Sequence, residues 1–361
     1  MIKLEQTEFT LGFIPLTDSA PLVAAKEMGF FEKWGLDVKL QKQNSWATLR
    51  DKLHTGVLDA AQMLAPMPLA SSLGVGCPKT AVITPLVLSL NGNGITLSQQ
   101  LHNEILTENN INQITLPLAG YLLRSIIKKR KVQNRPKLRF ATVFPYSCHF
   151  YQLRDWLSSA QITPDEVDII VVPPVNMVGH LASDDIDGFC VGGPWNAQAV
   201  RAGIGFTALT SYDIWQDSPE KVLGILQAFY DEKPNTVLAL LCALKEACIW
   251  LEDTPNRFEI ARLLSQQQYL DAPVDVIAPS LIGSCLTDIS SPPRAVPSYN
   301  QFYRTDDILI NIPEHVRGEW LLSKMLNAGQ LHNIEVPDDI VKTVFRPDIY
   351  EQMRVLLTAK N

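Results

Sequence analysis

Charge is scarce in this sequence and patterned cysteine is absent, and each shortage excludes a class of protein. Charged residues make up 19% of the 361, against roughly 25% in an average soluble chain. Hydrophobic residues reach 46%, so extended disorder is excluded and two sizeable cores can be filled. The 31 Lys and Arg fall short of the 38 Asp and Glu, a formal charge of −7. That balance gives no overall field for a polyanion, so direct nucleic-acid binding is not expected. Cys77, Cys148, Cys190, Cys242, Cys248 and Cys285 form no CxxC pair, which speaks against a disulfide framework or a zinc site and for a reducing compartment. No run approaches the roughly 18 apolar residues of a membrane span, and the opening MIKLEQT shows no apolar stretch of a secretory signal, so a cytoplasmic location without membrane contact is expected. GxSxG, HExxH, Walker and GxGxxG signatures are missing as well; no catalytic residue, metal or cofactor is assigned.

What is present is an alternation of strand and helix patterns. Phe9 to Ile14 reads as a strand, Pro15 to Ser19 as a turn cluster, Ala20 to Met28 as a helix and Asp37 to Gln41 as a second strand, a βαβ unit with parallel strands. Further segments follow: a helix from about Trp46 to Leu53, an apolar stretch at Asp59 to Leu64, a helix near Pro68 to Leu73 and a long strand from Thr80 to Leu90. The turn sequence Asn91-Gly92-Asn93-Gly94 then opens a second unit, with helices at Tyr121 to Lys131 and Ser147 to Ala160 and strands at Leu138 to Val143, Val167 to Val172 and Asp187 to Val191. Strand-like stretches at Gly205 to Leu209 and Val222 to Phe229 precede an amphipathic helix from Pro234, and Ser290 to Ser298 is a proline-rich loop or strap. The expected architecture is α/β with two lobes: lobe I from 1–90 plus 200–361, lobe II from 91–199, and a ligand cleft between the carboxyl ends of their strands.

Several segments carry a resemblance in one consistent order. They are Gly12 to Asp18 (GFIPLTD), Gly29-Phe30-Phe31, Ser45 to Leu53 (SWATLRDKL), Leu64 to Pro68 (LAPMP), Leu90 to Ile95 (LNGNGI), Val171 to Pro174 (VVPP), Phe189 to Trp195 (FCVGGPW) and Ser218 to Lys221 (SPEK). Spanning roughly residues 10 to 230, they resemble the nitrate- and bicarbonate-binding solute receptors of ABC transporters (NrtA/CmpA type). The resemblance implies a periplasmic-binding-protein-like fold of type II that captures nitrate or nitrite. With no signal sequence in view, the likeness leans to the branch of NasS-type cytoplasmic sensors. Those regulate nitrate assimilation by holding an RNA-binding antiterminator of the NasT type until the anion arrives. Plain substrate capture for a nitrate ABC transporter is the alternative. A thiamine-pyrimidine synthase-like enzyme, echoed only by Cys148-His149, is a distant third.

Nitrate is planar, singly charged and weakly basic, so a selective site needs donors at its edge, one cation and a flat apolar face. Trp46, after the candidate cap Ser45, offers such a face and one N–H, or is a core tryptophan. Asn93 can aim its amide into the cleft, where the relatives resemble a glutamine, or simply form a turn. His149 follows the candidate cap Ser147 and so stands at a helix start that favours anions. Gly192 and Gly193 sit at a strand-to-helix junction closed by Pro194, where the relatives tend to carry an acidic residue in place of Gly193. Lys221 supplies the cation; in the resemblance a lysine marks nitrate receptors and argues against bicarbonate and its metal. Changing Lys221 to glutamate is expected to abolish anion binding and leave the fold intact. Finally, Arg124, Lys128, Lys129, Arg130, Lys131, Arg135, Lys137 and Arg139 crowd into sixteen residues, either a solvated helix face or a surface for an acidic partner.

Overall fold

The computed structural model describes residues 2–304 and 310–360. Its first sheet is built from β1 (Glu8–Phe13), β2 (Asp37–Lys42), β3 (Ala60–Leu64), β4 (Val82–Asn91) and β10 (Pro219–Leu226), in the order β4-β10-β3-β1-β2, with a two-residue strand at Asn300–Gln301 added beside β4. β1 and β2 are parallel, with Glu8 opposite Asp37, as the βαβ reading requires. β10 runs antiparallel between β3 and β4. All ten residues of β4 are buried, which fits a strand apolar but for Thr84, Ser89 and Asn91. Pro85 is tolerated in this interior strand because the ladder to β10 is irregular there, with Leu223 opposite Leu86 but Ile225 opposite Ile83.

The second sheet holds β5 (Asn93–Ser98), β6 (Leu138–Thr142), β7 (Val167–Val171), β8 (Gly188–Gly192) and β9 (Gly205–Thr210) in the order β7-β6-β8-β5-β9. The chain crosses from the first sheet to the second at Asn91 and Gly92, whose φ angles of 59° and 99° lie in the left-handed region that asparagine and glycine tolerate. Asn93 is therefore the first residue of a strand and not part of the turn. Lobe II also extends beyond the expected 199: β9, assigned to lobe I from the sequence, pairs antiparallel with β5, and the return crossing ends at Pro219. A short apolar stretch has no period that says which sheet it joins, which is why the boundary was misplaced.

The lobes are pressed together. One apolar cluster runs from Ile14, Leu16 and Trp46 of lobe I to Val143, Cys148, Phe189 and Trp195 of lobe II, and Thr17 N–H donates to the Gly193 carbonyl across the cleft at 2.8 Å. The C-terminal segment straps the two lobes: Lys324 pairs with Asp155 at 2.5 Å and Gln330 meets Tyr151 at 2.6 Å in lobe II, while the Arg346 N–H donates to the Thr84 carbonyl of lobe I at 3.1 Å. Among the described residues no single helix is long and apolar enough to cross a membrane.

Candidate functional site

Three junctions where a strand or loop gives way to a helix converge on one interlobe chamber. Ser45 caps the Trp46–His54 helix through the Thr48 N–H, which fixes Trp46, 1% exposed, at the helix start. Ser147 caps the Cys148–Ser159 helix through the Phe150 N–H, which brings in His149 and, one turn later, Gln152, both fully buried. The short 3-10 turn Thr17–Ser19 presents Asp18, 1% exposed.

β10 supplies the charge. Its ladder to β4 pairs Pro219 with Leu90 and Lys221 with Ser89, so Glu220 is the extra residue of a bulge. Strand alternation would send Glu220 and Lys221 to opposite faces. The bulge turns both inward, and both are fully buried. Lys221 Nζ lies 2.7 Å from Glu220 Oε1 and 2.8 Å from Asp18 Oδ2, and 5.6 Å from the Trp46 ring centroid. Glu220 Oε1 stands 3.0 Å from His149 Nε2, and its Oε2 accepts from Asn93 Nδ2 at 2.7 Å. Asn93 Nδ2 also reaches Gln152 Oε1 at 2.9 Å, while Gln62 Nε2 donates to Asp18 Oδ1 at 2.9 Å.

Burial and pairing pull on these charges in opposite senses. Burial alone would lift Glu220, but the Lys221 charge and the His149 contact hold it at about 2. Burial works against the Lys221 ammonium too, and the two carboxylates outweigh it, so Lys221 stays charged well into alkali. Asp18, with fewer partners than Glu220, is raised by burial despite Lys221. Burial also lowers His149, against the pull of Glu220, and favours neutral imidazole. Trp46 Nε1, His149 Nδ1, Gln152 Nε2 and Asn93 Oδ1 are buried without a protein partner, an arrangement that ordinarily costs about 1–3 kcal/mol per group and so points to a ligand.

Each residue singled out from the sequence has its place here. Trp46, Asn93, His149 and Lys221 surround the chamber. Gly192 ends β8 opposite Asn93, and a Cβ there would lie 3.3 Å from Asp18 Oδ2, so its backbone borders the chamber. Gly193 sits at the rim: a Cβ would meet Ser280 Oγ at 2.7 Å and Thr17 Oγ1 at 2.8 Å, so those hydroxyls leave no room for a side chain there. Asp18, Gln62, Gln152 and Glu220 were missed. Gln152, three residues after His149 on one helix face, was readable; Glu220 was hidden by the bulge and Asp18 by its turn-like surroundings. Cys148 donates to the Pro219 carbonyl at 3.2 Å, and burial holds its thiol well above the usual range, so it is no nucleophile. The basic run meets acids of its own chain, with Arg124 on Glu166 at 2.5 Å, Arg130 and Arg135 on Glu104, and Lys129 on Glu108. Four of the eight are so paired, which halves the charge the run offers an outside partner.

The chain matches the NMT1-like family over residues 3–265. It is 37% identical to the nitrate import ATP-binding protein NrtC of Synechocystis sp. over 96% of this chain and 50% of that protein. It is also 37% identical to the bicarbonate transport ATP-binding protein CmpC of Synechococcus elongatus, over 91% of this chain and 46% of that one. The chain thus spans about half the length of these two relatives. Among solved structures, the periplasmic nitrate-binding protein NrtA of Synechocystis PCC 6803 superposes with a TM-score of 0.88 at 30% identity, covering 99% of this chain and 90% of that one. Family match and two-lobe geometry agree: the chain belongs to the NMT1-like family and has the periplasmic-binding-protein-like fold of the nitrate-binding protein NrtA.

Proposed function

We propose that the chain is a receptor for a small planar monoanion, nitrate or nitrite, which it encloses between its lobes. One observation carries this reading: a fully buried ammonium, Lys221, shares its chamber with the unpartnered nitrogens Trp46 Nε1, Gln152 Nε2 and His149 Nδ1. An oxyanion offers an acceptor to Trp46 Nε1 and Gln152 Nε2, and to His149 Nδ1 once that nitrogen carries a proton; the ammonium supplies the countercharge, and the Trp46 ring supplies a flat face. Binding would also span both lobes, since Trp46 and Lys221 belong to one and His149 and Gln152 to the other. A ligand held in this way stabilises the closed form in proportion to its differential affinity.

CmpC is named for bicarbonate, so the ligand needs a direct comparison. Thermal-shift titrations with nitrate, nitrite, bicarbonate, sulfate and an alkanesulfonate separate the candidates, because a true ligand gives a dose-dependent rise. Stabilisation by bicarbonate alone would move the assignment to that anion.

What the closed form signals is a finer matter. The names of NrtC and NrtA support capture for a membrane transport complex, and nitrate-dependent stimulation of a cognate transporter's ATPase is its test. The other reading, a cytoplasmic sensor that releases a NasT-like antiterminator on anion binding, rests on the sequence resemblance. It requires reciprocal coupling, in which partner and anion weaken each other's binding by one factor. Equal nitrate affinity with and without that partner would dismiss it.

A further inference from the structure

The charges of the chamber do not balance once an anion is added. Asp18 and Glu220 bring two negative charges and Lys221 one positive, and none of the three is more than 1% exposed. With neutral His149 the cluster carries −1, and a monoanion would make it −2 in a site closed to water, where like charges a few ångströms apart strongly disfavour each other. The charged groups that act on His149 are Glu220 and Lys221 from β10 and Asp18 from the turn after β1; Cys148 on its own helix and Cys190 on β8 lie near the same Glu220 and Lys221. Burial keeps both thiols protonated, Lys221 is already charged, and Glu220 is held ionised by its partners. Asp18 can take a proton only by giving up its contact with Lys221 or Gln62, so His149, with a nitrogen to spare, is the base that remains. Its Nε2 stands beside Glu220, and its Nδ1 is buried with no partner.

We propose that the chamber takes up its monoanion together with one proton, which settles on His149 Nδ1, and that Asp18 and Glu220 set this charge requirement and turn dianions away. The proposal rests on the receptor reading above. Glu220 fixes the imidazole through Nε2, so the proton gained at Nδ1 forms an N–H that faces the anion. The imidazolium then lies between two negative groups and screens each from the other. A dianion would need a second proton, and the one remaining acceptor, Asp18, is already engaged by Lys221 and Gln62.

The test is calorimetric titration of the full chain with potassium nitrate, at about pH 7 and about pH 8.5, in buffers of differing ionisation enthalpy; the slope of heat against buffer enthalpy counts protons. The expected result is about one proton taken up per nitrate, affinity falling about tenfold per pH unit wherever the free imidazole is neutral and the bound one charged, and no heat with sulfate. His149→Asn, which keeps an N–H for Glu220 but cannot take the proton, should bind nitrate more weakly, without proton uptake and with an affinity flat in pH. Nitrate binding by the unaltered protein without proton uptake, or sulfate binding as tightly as nitrate, overturns this proposal and leaves the receptor reading standing. Undiminished proton uptake in the variant removes His149 from it. Failure of both nitrate and nitrite to bind overturns the two readings together. The proton count of the unaltered protein decides the matter even if the variant does not fold.

Discussion

Glu220 and Lys221 are consecutive residues of one strand, yet both side chains enter the same buried chamber, 2.7 Å apart at their charged ends. A single extra residue in β10 does this, and it ties the binding charge of the protein to its stability. Lys221 is the only cation that contacts Asp18 and Glu220 together among the described ion pairs. Lys221→Met is therefore expected to strand two buried carboxylates and lower the unfolding free energy by about 3–5 kcal/mol, the usual cost of breaking a buried pair. Lys221→Glu should be worse, against the sequence-based expectation that it would spare the fold. Urea denaturation of the ligand-free variants measures the loss; a change under about 1 kcal/mol would mean that the chamber is wetter than its burial indicates.

Asp18 is the carboxylate with fewer partners, held by Gln62 and Lys221 alone. Asp18→Asn keeps the shape, removes one negative charge and should let a monoanion bind without added protons. At about pH 8 its nitrate affinity should rise tenfold or more, about 1.4 kcal/mol, with a shallower pH dependence. An affinity that drops would show that the Asp18 charge helps to hold the ligand.

Much of this was readable in the chain, for reasons that mark where reading stops. Apolar strands, capping serines and the crossing at Asn91-Gly92 are local features, so the two lobes, Trp46 and His149 could be placed from sequence. Strand partnership and bulges depend on neighbours distant in sequence, so β9 fell in the wrong lobe and Glu220 was passed over. The strap formed by Lys324 and Gln330 was illegible for the same reason: its contacts, Asp155 and Tyr151, lie about 170 to 180 residues away.

Gly193 tests interlobe closure separately from charge. A methyl there would collide with the hydroxyls of Thr17 and Ser280, which face it only when the lobes meet. Gly193→Ala should weaken anion binding by about 1–3 kcal/mol, roughly 5- to 150-fold, and leave ligand-free stability nearly unchanged. Unaltered affinity would place closure elsewhere.

The ionisations also predict how the ligand-free protein responds to acid. The His149 imidazole is depressed below its usual 6.5, so the unfolded chain takes up a proton near that pH that the folded one refuses, and stability falls as pH drops below 6.5. Glu220 is lowered from 4.5 to about 2; its contribution is complete above 4.5 and is lost as pH falls toward 2. Asp18, raised by burial, works the other way and softens the loss as it gains its proton. Melting temperatures from about pH 7.5 down to about pH 5.5 should therefore decline, and less steeply in His149→Asn. A parallel decline in both proteins would locate the acid sensitivity outside this cluster.

The central claim is that Lys221, Trp46, His149 and Gln152 enclose a planar monoanion between the lobes, and calorimetric titration of the unaltered protein with nitrate and nitrite tests it most directly. The account predicts saturable binding of one anion per chain, lost when Lys221 is replaced by Met in protein that remains folded. Heats indistinguishable from dilution for both anions, or unchanged binding after that replacement, would contradict it.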